Sequence, residues 1–196
     1  ADTTLVLNNS RVEKCRLLFE GGKTEIFVLD TIEPYHVQAM VRPGKKFKMG
    51  KRVLLAPDLY AEVLSITEDG LRTLKLSHSL GEAVFEPFKH TPLPPYIAQN
   101  EALSEEYQTI YAKDEGSKAA PTAGLHFTPE LMQRITNSGI SVEELTLHVG
   151  MGTFAPVKTE RIQEHIMHEE RYFLPEEVAE RLNNTPHITA VGTTSE

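Results

Sequence analysis

The stretch Thr128-Pro129-Glu130-Leu131-Met132-Gln133-Arg134-Ile135-Thr136-Asn137-Ser138-Gly139 decides the fold class. A threonine N-cap, a proline at the first helical position and an acid beside the positive end of the helix dipole together start a helix. Gly139 stops it. Ile140 to Val149 then reads as a strand, followed by the glycine loop Gly150-Met151-Gly152-Thr153. Working outward, Pro175-Glu176-Glu177 opens a further helix to about Leu182, and His187 to Val191 reads as a last strand. Upstream, Ser104 to Ala112 reads as helical with Ser104 as its N-cap. Strands alternating with helices predict an α/β region.

Before residue 80 the texture is β. Leu5-Val6-Leu7, Arg16 to Phe19, Thr24 to Leu29, Tyr35 to Val41, Val53 to Leu55, Tyr60 to Ile66 and Leu71 to Leu76 are short apolar or alternating runs. Turn chemistry separates them at Asn8-Asn9-Ser10, Gly21-Gly22 and Asp69-Gly70. Many short strands at close spacing predict a small antiparallel barrel or sandwich, and Asp69-Gly70 marks a hairpin. The proline-rich run Thr91 to Ile97 is extended and semi-rigid, and reads as a boundary between the two regions.

Composition narrows the function classes. With 196 residues, a formal charge of −8 and 40% apolar residues, the chain suits one large or two small globular domains. No apolar run approaches the roughly 20 residues of a membrane helix, and the first residues lack the pattern of a signal peptide. A lone cysteine, Cys15, excludes an internal disulfide framework and a cysteine-based zinc site, and fits a reducing cytoplasm. The acidic balance argues against gross adhesion to nucleic acid. A local exception runs from Arg42 to Arg52, where Arg42, Lys45, Lys46, Lys48, Lys51 and Arg52 put six cations in eleven residues without an acid. Such a run is either a solvated loop or a phosphate-contacting patch.

Chemistry concentrates in the second half. Four of the eight histidines, His126, His148, His165 and His168, fall within 43 residues, each beside a glycine-rich or polar segment. Imidazole titrates nearest neutral pH, so the cluster suits proton transfer or metal binding; satisfied polar residues at strand ends are the plain alternative. Ala119 to Gly124 and Gly150 to Thr153 are small-residue loops of the kind that lets a backbone approach a ligand. Neither carries a dinucleotide fingerprint or a P-loop.

Read together, seven strings in order resemble one family. They are Leu5 to Val12, Pro92 to Ile97, Tyr107 to Ala112, Ala120-Pro121-Thr122-Ala123-Gly124-Leu125-His126-Phe127, Leu147-His148-Val149-Gly150-Met151-Gly152-Thr153-Phe154, His165-Ile166-Met167-His168-Glu169-Glu170-Arg171-Tyr172 and Val191 to Ser195. They resemble the S-adenosylmethionine:tRNA ribosyltransferase-isomerase family of queuosine biosynthesis. The resemblance implies a mixed α/β domain over residues 1–16 and 89–196, with a small antiparallel β-barrel domain inserted over residues 17–88. It also implies an activity. The ribosyl part of S-adenosylmethionine moves onto the aminomethyl group of 7-aminomethyl-7-deazaguanine in the tRNA wobble position, giving epoxyqueuosine with loss of adenine and methionine. S-adenosylmethionine serves there as ribosyl donor, and no metal, membrane or obligate protein partner is expected.

Such chemistry needs at least two acid/base groups. The sulfonium acidifies the ribose C5′ hydrogens, adenine leaves with a proton and the incoming amine loses one. His126, His148, His165, His168 and Glu170 lie in the family-like strings and have suitable chemistry. Thr122, Gly124, Gly152 and Thr153 are the candidate substrate-contacting residues, and Arg11 a candidate partner for a phosphate or the methionine carboxylate. The basic run from Arg42 to Arg52 is the candidate tRNA contact.

The chain departs from the family pattern in two places. Asn8-Asn9-Ser10-Arg11 stands where Asn-Asp-Thr-Arg is usual, and Lys89-His90-Thr91 where Gly-Glu-Met is expected. Members of the family also extend beyond both ends of these strings, so an internal portion or a short member is expected. Two other readings stay open: a metal-dependent hydrolase or lyase using the histidines and Glu170 as a zinc shell, and a non-catalytic RNA-binding module using the basic run.

Overall fold

The computed structural model describes residues 3–94, 97, 100, 102–150 and 170–196. The chain divides into two compact units, one formed by Ala1–Glu13 with Leu93–Glu196 and the other by Lys14–Pro92. The first unit begins with strands β1 (Thr3–Asn8) and β2 (Ser10–Val12). The second carries β3 (Arg16–Phe19), β4 (Thr24–Glu33), β5 (His36–Arg42), β6 (Arg52–Ala56), β7 (Leu59–Ile66), β8 (Arg72–Leu76) and β9 (Lys89–His90). The chain then returns to the first unit with α1 (Ala102–Glu106), β10 (Asp114–Ser117), α2 (Pro129–Asn137), β11 (Ser141–His148), β12 (Arg171–Phe173), α3 (Glu176–Asn183) and β13 (His187–Ala190). The architecture is mixed α/β.

In the second unit the strands form one antiparallel sheet ordered β6-β7-β8-β5-β4-β3-β9. Alternation explains its core: Thr24, Ile26 and Val28 of β4, and Leu59, Ala61 and Val63 of β7, are buried while their neighbours are not. Phe19, Phe47 and Phe85 are fully buried within the same cluster. The β7–β8 hairpin closes at Asp69-Gly70 as expected. Thr67 donates its N–H to the Leu71 carbonyl at 2.9 Å, and Gly70 takes a φ of +88°.

The first unit is built on a four-stranded sheet ordered β12-β11-β1-β13, with β1 parallel to β11 and β13, and β12 antiparallel to β11. Leu5 and Leu7 of β1 are buried with Tyr111, and Met132 and Ile135 of α2 pack on the same cluster. The sequence features of α2 hold: Thr128 Oγ1 accepts from the Leu131 N–H at 3.2 Å and Gly139 takes a φ of +79°. Arg181 of α3 grips Glu143 of β11 with Nε–Oε1 at 2.6 Å and Nη2–Oε2 at 2.9 Å.

Two expectations are corrected. The helix expected over Ser104 to Ala112 is only the five residues of α1, with Ser104 inside it, and Asn100 Oδ1 receives the Ala102 N–H at 3.0 Å. Tyr107 packs with Val12, Leu93 and Ala120, whereas Tyr111 packs with Leu5 and Leu7. A continuous helix would set these i, i+4 tyrosines on one face, so the chain unwinds to supply two separate clusters. Asn8-Asn9-Ser10 is likewise no reversal. Asn8 Oδ1 accepts from the N–H groups of Ser10 and Leu147, both at 3.0 Å, and the chain jogs from β1 directly into β2.

Candidate active site

His148 ends β11, and its surroundings assemble from β10, the segment after it, and β12. β10 pairs with β2 in parallel, Asp114 opposite Ser10 and Glu115 opposite Arg11. The register then shifts so that Ser117 faces Val12 and Gly116 is left over as a bulge. At Gly116 φ is +142°, and a Cβ there would lie 3.0 Å from His148 Cε1 and 3.1 Å from both ring nitrogens. The imidazole therefore lies face-on against the bare backbone of Gly116.

The next residues staple this edge to the end of β11. Lys118 donates its N–H to the Val149 carbonyl at 2.9 Å, Val149 its N–H to Ser117 Oγ at 3.0 Å, and Ser117 Oγ donates to the Ala119 carbonyl at 2.7 Å. The Lys118 ammonium, almost wholly buried, rests on the Glu13 carboxylate. Burial first, then the charge of Arg171, pushes the Lys118 amine down to about 8. In the β11–β12 ladder Arg171 lies opposite His148. Burial is also the largest influence on His148 and lowers its pKa; Asp114 opposes, and Arg171 and Lys118 add to the lowering. Its Nδ1 is buried without a hydrogen-bond partner among the described residues. Burial and two neighbouring cations thus disfavour protonation of this imidazole, whose Nδ1 is buried and unpaired among the described residues.

The remaining candidates distribute unevenly. Glu170 lies near this edge, its Oε1 accepting from the Gly150 N–H at 2.8 Å. His126 closes a 3-10 turn over Thr122–His126; it and Thr122 are exposed and make no hydrogen bond through their side chains among the described residues. Gly124 is buried in that turn, where a Cβ would fall on the Tyr111 hydroxyl and 2.8 Å from Thr109 Cγ2. The glycine at 124 thus makes room for Tyr111, a packing reason for its small size. Arg11 places Nη2 at 2.8 Å from both carboxylate oxygens of Glu105 and Nε at 3.8 Å from Glu115, so its guanidinium already holds anionic partners. His165, His168, Gly152 and Thr153 lie outside the described residues. Among the described residues no group of three or more His, Cys, Asp or Glu side chains is placed to hold a metal ion. No helix there is long and apolar enough to cross a membrane.

Asp114, Gly116, Lys118 and Arg171 were not among the sequence candidates. The available signal was the charged and glycine-bearing run Asp114 to Lys118, directly before the small-residue loop. Asn9 acquires a reason as well. Its Oδ1 accepts from Thr146 Oγ1 at 2.6 Å, and its Nδ2 donates to Glu144 Oε2 at 3.2 Å. An aspartate could accept the first bond but not donate the second, and would face the Glu144 carboxylate. Asn9→Asp is expected to lower stability by about 1–3 kcal/mol at pH 7 and by less near pH 4, where the new carboxyl takes a proton. Thermal melts at the two pH values check this.

In the basic run, the cations sort into two sets. Arg42 pairs with Glu25 at 2.8 Å, Lys46 with Glu20 at 2.5 Å, and Arg52 lies 3.8 Å from Glu62 and 4.3 Å above the Tyr60 ring. Lys45, Lys48 and Lys51 are exposed and have no carboxylate partner among the described residues.

A mixed α/β unit with a histidine-bearing strand edge, joined in one chain to an antiparallel β unit, is the class that these features define. The chain belongs to the queuosine biosynthesis protein family, whose description matches residues 1–196. It is 46% identical over 198 residues to the S-adenosylmethionine:tRNA ribosyltransferase-isomerase of Thermotoga maritima, covering 97% of this chain and 58% of that protein. It is 42% identical over 205 residues to the enzyme of the same name from Desulfitobacterium hafniense, covering 100% and 60% respectively. The crystal structure of the Thermotoga maritima S-adenosylmethionine tRNA ribosyltransferase is matched at 31% identity over 99% of this chain and 53% of that one, with a TM-score of 0.32. The chain therefore spans about three-fifths of the length of the curated relatives.

Proposed function

We propose that the full-length protein carrying this chain transfers and isomerises the ribosyl moiety of S-adenosylmethionine onto 7-aminomethyl-7-deazaguanine at the tRNA wobble position. The products are epoxyqueuosine-tRNA, adenine and methionine. The observation that carries the reading is the His148 site: a half-buried imidazole at a strand edge, opposite Arg171 and with its pKa lowered by burial, in a chain 46% identical to enzymes of that name. Proton removal next to a sulfonium needs a base, a neutral imidazole or a carboxylate, and burial favours the neutral form of His148. His126, His165, His168 and Glu170 are proposed to share the remaining proton transfers at adenine and at the incoming amine. Thr122, Gly124, Gly152 and Thr153 are proposed to line the substrate. Incubation of the full-length protein with S-adenosylmethionine and precursor-bearing tRNA, read as adenine release, tests the reading.

The unit Lys14–Pro92 is proposed to be an inserted small β-barrel domain, centred on residues 17–88, that grips tRNA through the basic run, in the cytoplasm. The sorting of that run supports the role, since Lys45, Lys48 and Lys51 have no counter-charge among the described residues. Replacing these three by alanine is expected to weaken tRNA binding at least tenfold and to flatten its salt dependence by about two to three in log–log slope, one released counterion per lost phosphate contact. The same change at Arg42, Lys46 and Arg52 is expected to affect stability as well. Titrations at several salt concentrations, alongside thermal melts, separate the two sets.

A further inference from the structure

We propose that Gly116 is a positioning residue for His148: its bare backbone is the seat on which the imidazole lies face-on, and the seat fixes the orientation of the ring toward the substrate. This rests on the reading of His148 as a proton acceptor and adds how the chain holds it. Three independent features of β10 converge on the glycine. The ladder with β2 shifts register between Glu115 and Ser117, so Gly116 is the extra residue of a bulge, a device that re-aims neighbouring side chains. Its φ of +142° is one that side-chain-bearing residues rarely adopt. A Cβ at this position would stand 3.0–3.1 Å from three atoms of the ring, closer than the imidazole tolerates without moving. The bulge also turns Ser117 so that its Oγ takes the Val149 N–H, which fixes the backbone on the far side of His148. Glycine here is thus doubly required, by backbone and by ring.

The charged groups facing the ring are Asp114 from β10, Lys118 just after it and Arg171 from β12. None of them is hydrogen-bonded to Nδ1, which has no partner among the described residues. A ring held by flat contact keeps its orientation without using either nitrogen in that contact. A Cβ at these distances makes the ring give by a few tenths of an ångström, a misplacement that costs about tenfold in a proton transfer.

The test uses the full-length protein in two ways. With glycine labelled by 13C, the Gly116 Hα signals are expected upfield of other glycines, from the ring current of the overlying imidazole, and to lose that shift in His148→Gln. In single-turnover adenine release, Gly116→Ala is expected to lower kcat about tenfold, with KM for S-adenosylmethionine changing far less. The double variant Gly116→Ala/His148→Gln is expected to be no slower than His148→Gln alone, because both changes act through one group. Absence of the upfield shift overturns the proposal, as does a normally melting Gly116→Ala that turns over at the parental rate, or a double variant that loses the product of both effects. If Gly116→Ala does not fold, the ring-current shift of the parent decides the seat. An intact shift with parental turnover in His148→Gln overturns the proton-acceptor reading and the substrate half of this proposal, leaving the seat itself in place.

Discussion

His148→Gln is expected to lower single-turnover adenine release by the full-length protein by about 10²–10⁴-fold while leaving its melting temperature close to the parent's. Glutamine reproduces one hydrogen bond of the imidazole but cannot take a proton near neutral pH. The loss is therefore expected in kcat, and His126→Gln, at an exposed ring proposed for one of the other proton transfers, is expected to lower kcat as well. The pH dependence carries a sign. Burial, Arg171 and Lys118 together hold the His148 pKa below its ordinary 6.5 against the pull of Asp114. As a base, His148 must be neutral, so the acid limb of the rate profile is expected below pH 6.5, and activity to be level through neutrality. A limb above 6.5 contradicts the assignment.

Glu13→Ala is expected to cost about 3 kcal/mol of stability at pH 7, because it strips the counter-charge from the almost wholly buried Lys118 ammonium. Lys118→Met added to Glu13→Ala is expected to recover most of that loss, since the buried charge is then gone too. With a folded pKa of about 8 against an ordinary 10.5, Lys118 holds fewer protons in the folded state than in the unfolded state between these values. Its contribution to stability therefore rises as pH climbs from about 8 to about 10.5, and the Glu13→Ala deficit shrinks as pH rises to about 8, above which the folded-state amine is neutral and needs no counter-charge. Chemical denaturation of parent and variants at pH 7 and pH 9.5 measures both effects. Equal deficits at the two pH values contradict the buried-charge account.

What the sequence made legible follows from how local each signal is. Thr128-Pro129-Glu130 and Gly139 bound α2 because capping and dipole effects act within a single turn, and Asp69-Gly70 marks the β7–β8 hairpin for the same reason. The length of α1 was not legible, because it is decided by two clusters that compete for Tyr107 and Tyr111. Phe47, the one aromatic in the basic run, is a fully buried plug that anchors the loop carrying the exposed lysines, a role set by the packed core and not by its neighbours in sequence. His148 was legible from its neighbours in sequence, but its seat was not. Nothing in the chain's spacing brings Gly116 under residue 148 or joins Glu13 to Lys118 across 105 positions. Those contacts exist only once β10 lies beside β2 and is stapled to the end of β11. Gly124 shows the converse, a small residue in a ligand-like loop whose size is explained by the Tyr111 hydroxyl packed against it.

The most direct test is a single turnover of the full-length protein with S-adenosylmethionine labelled in both adenine and ribose, and with tRNA bearing 7-aminomethyl-7-deazaguanine. Adenine and methionine released in step with the appearance of ribose label in the tRNA is the predicted result. S-adenosylmethionine recovered unchanged beside bound tRNA, or demethylated with its adenine still attached, contradicts the account.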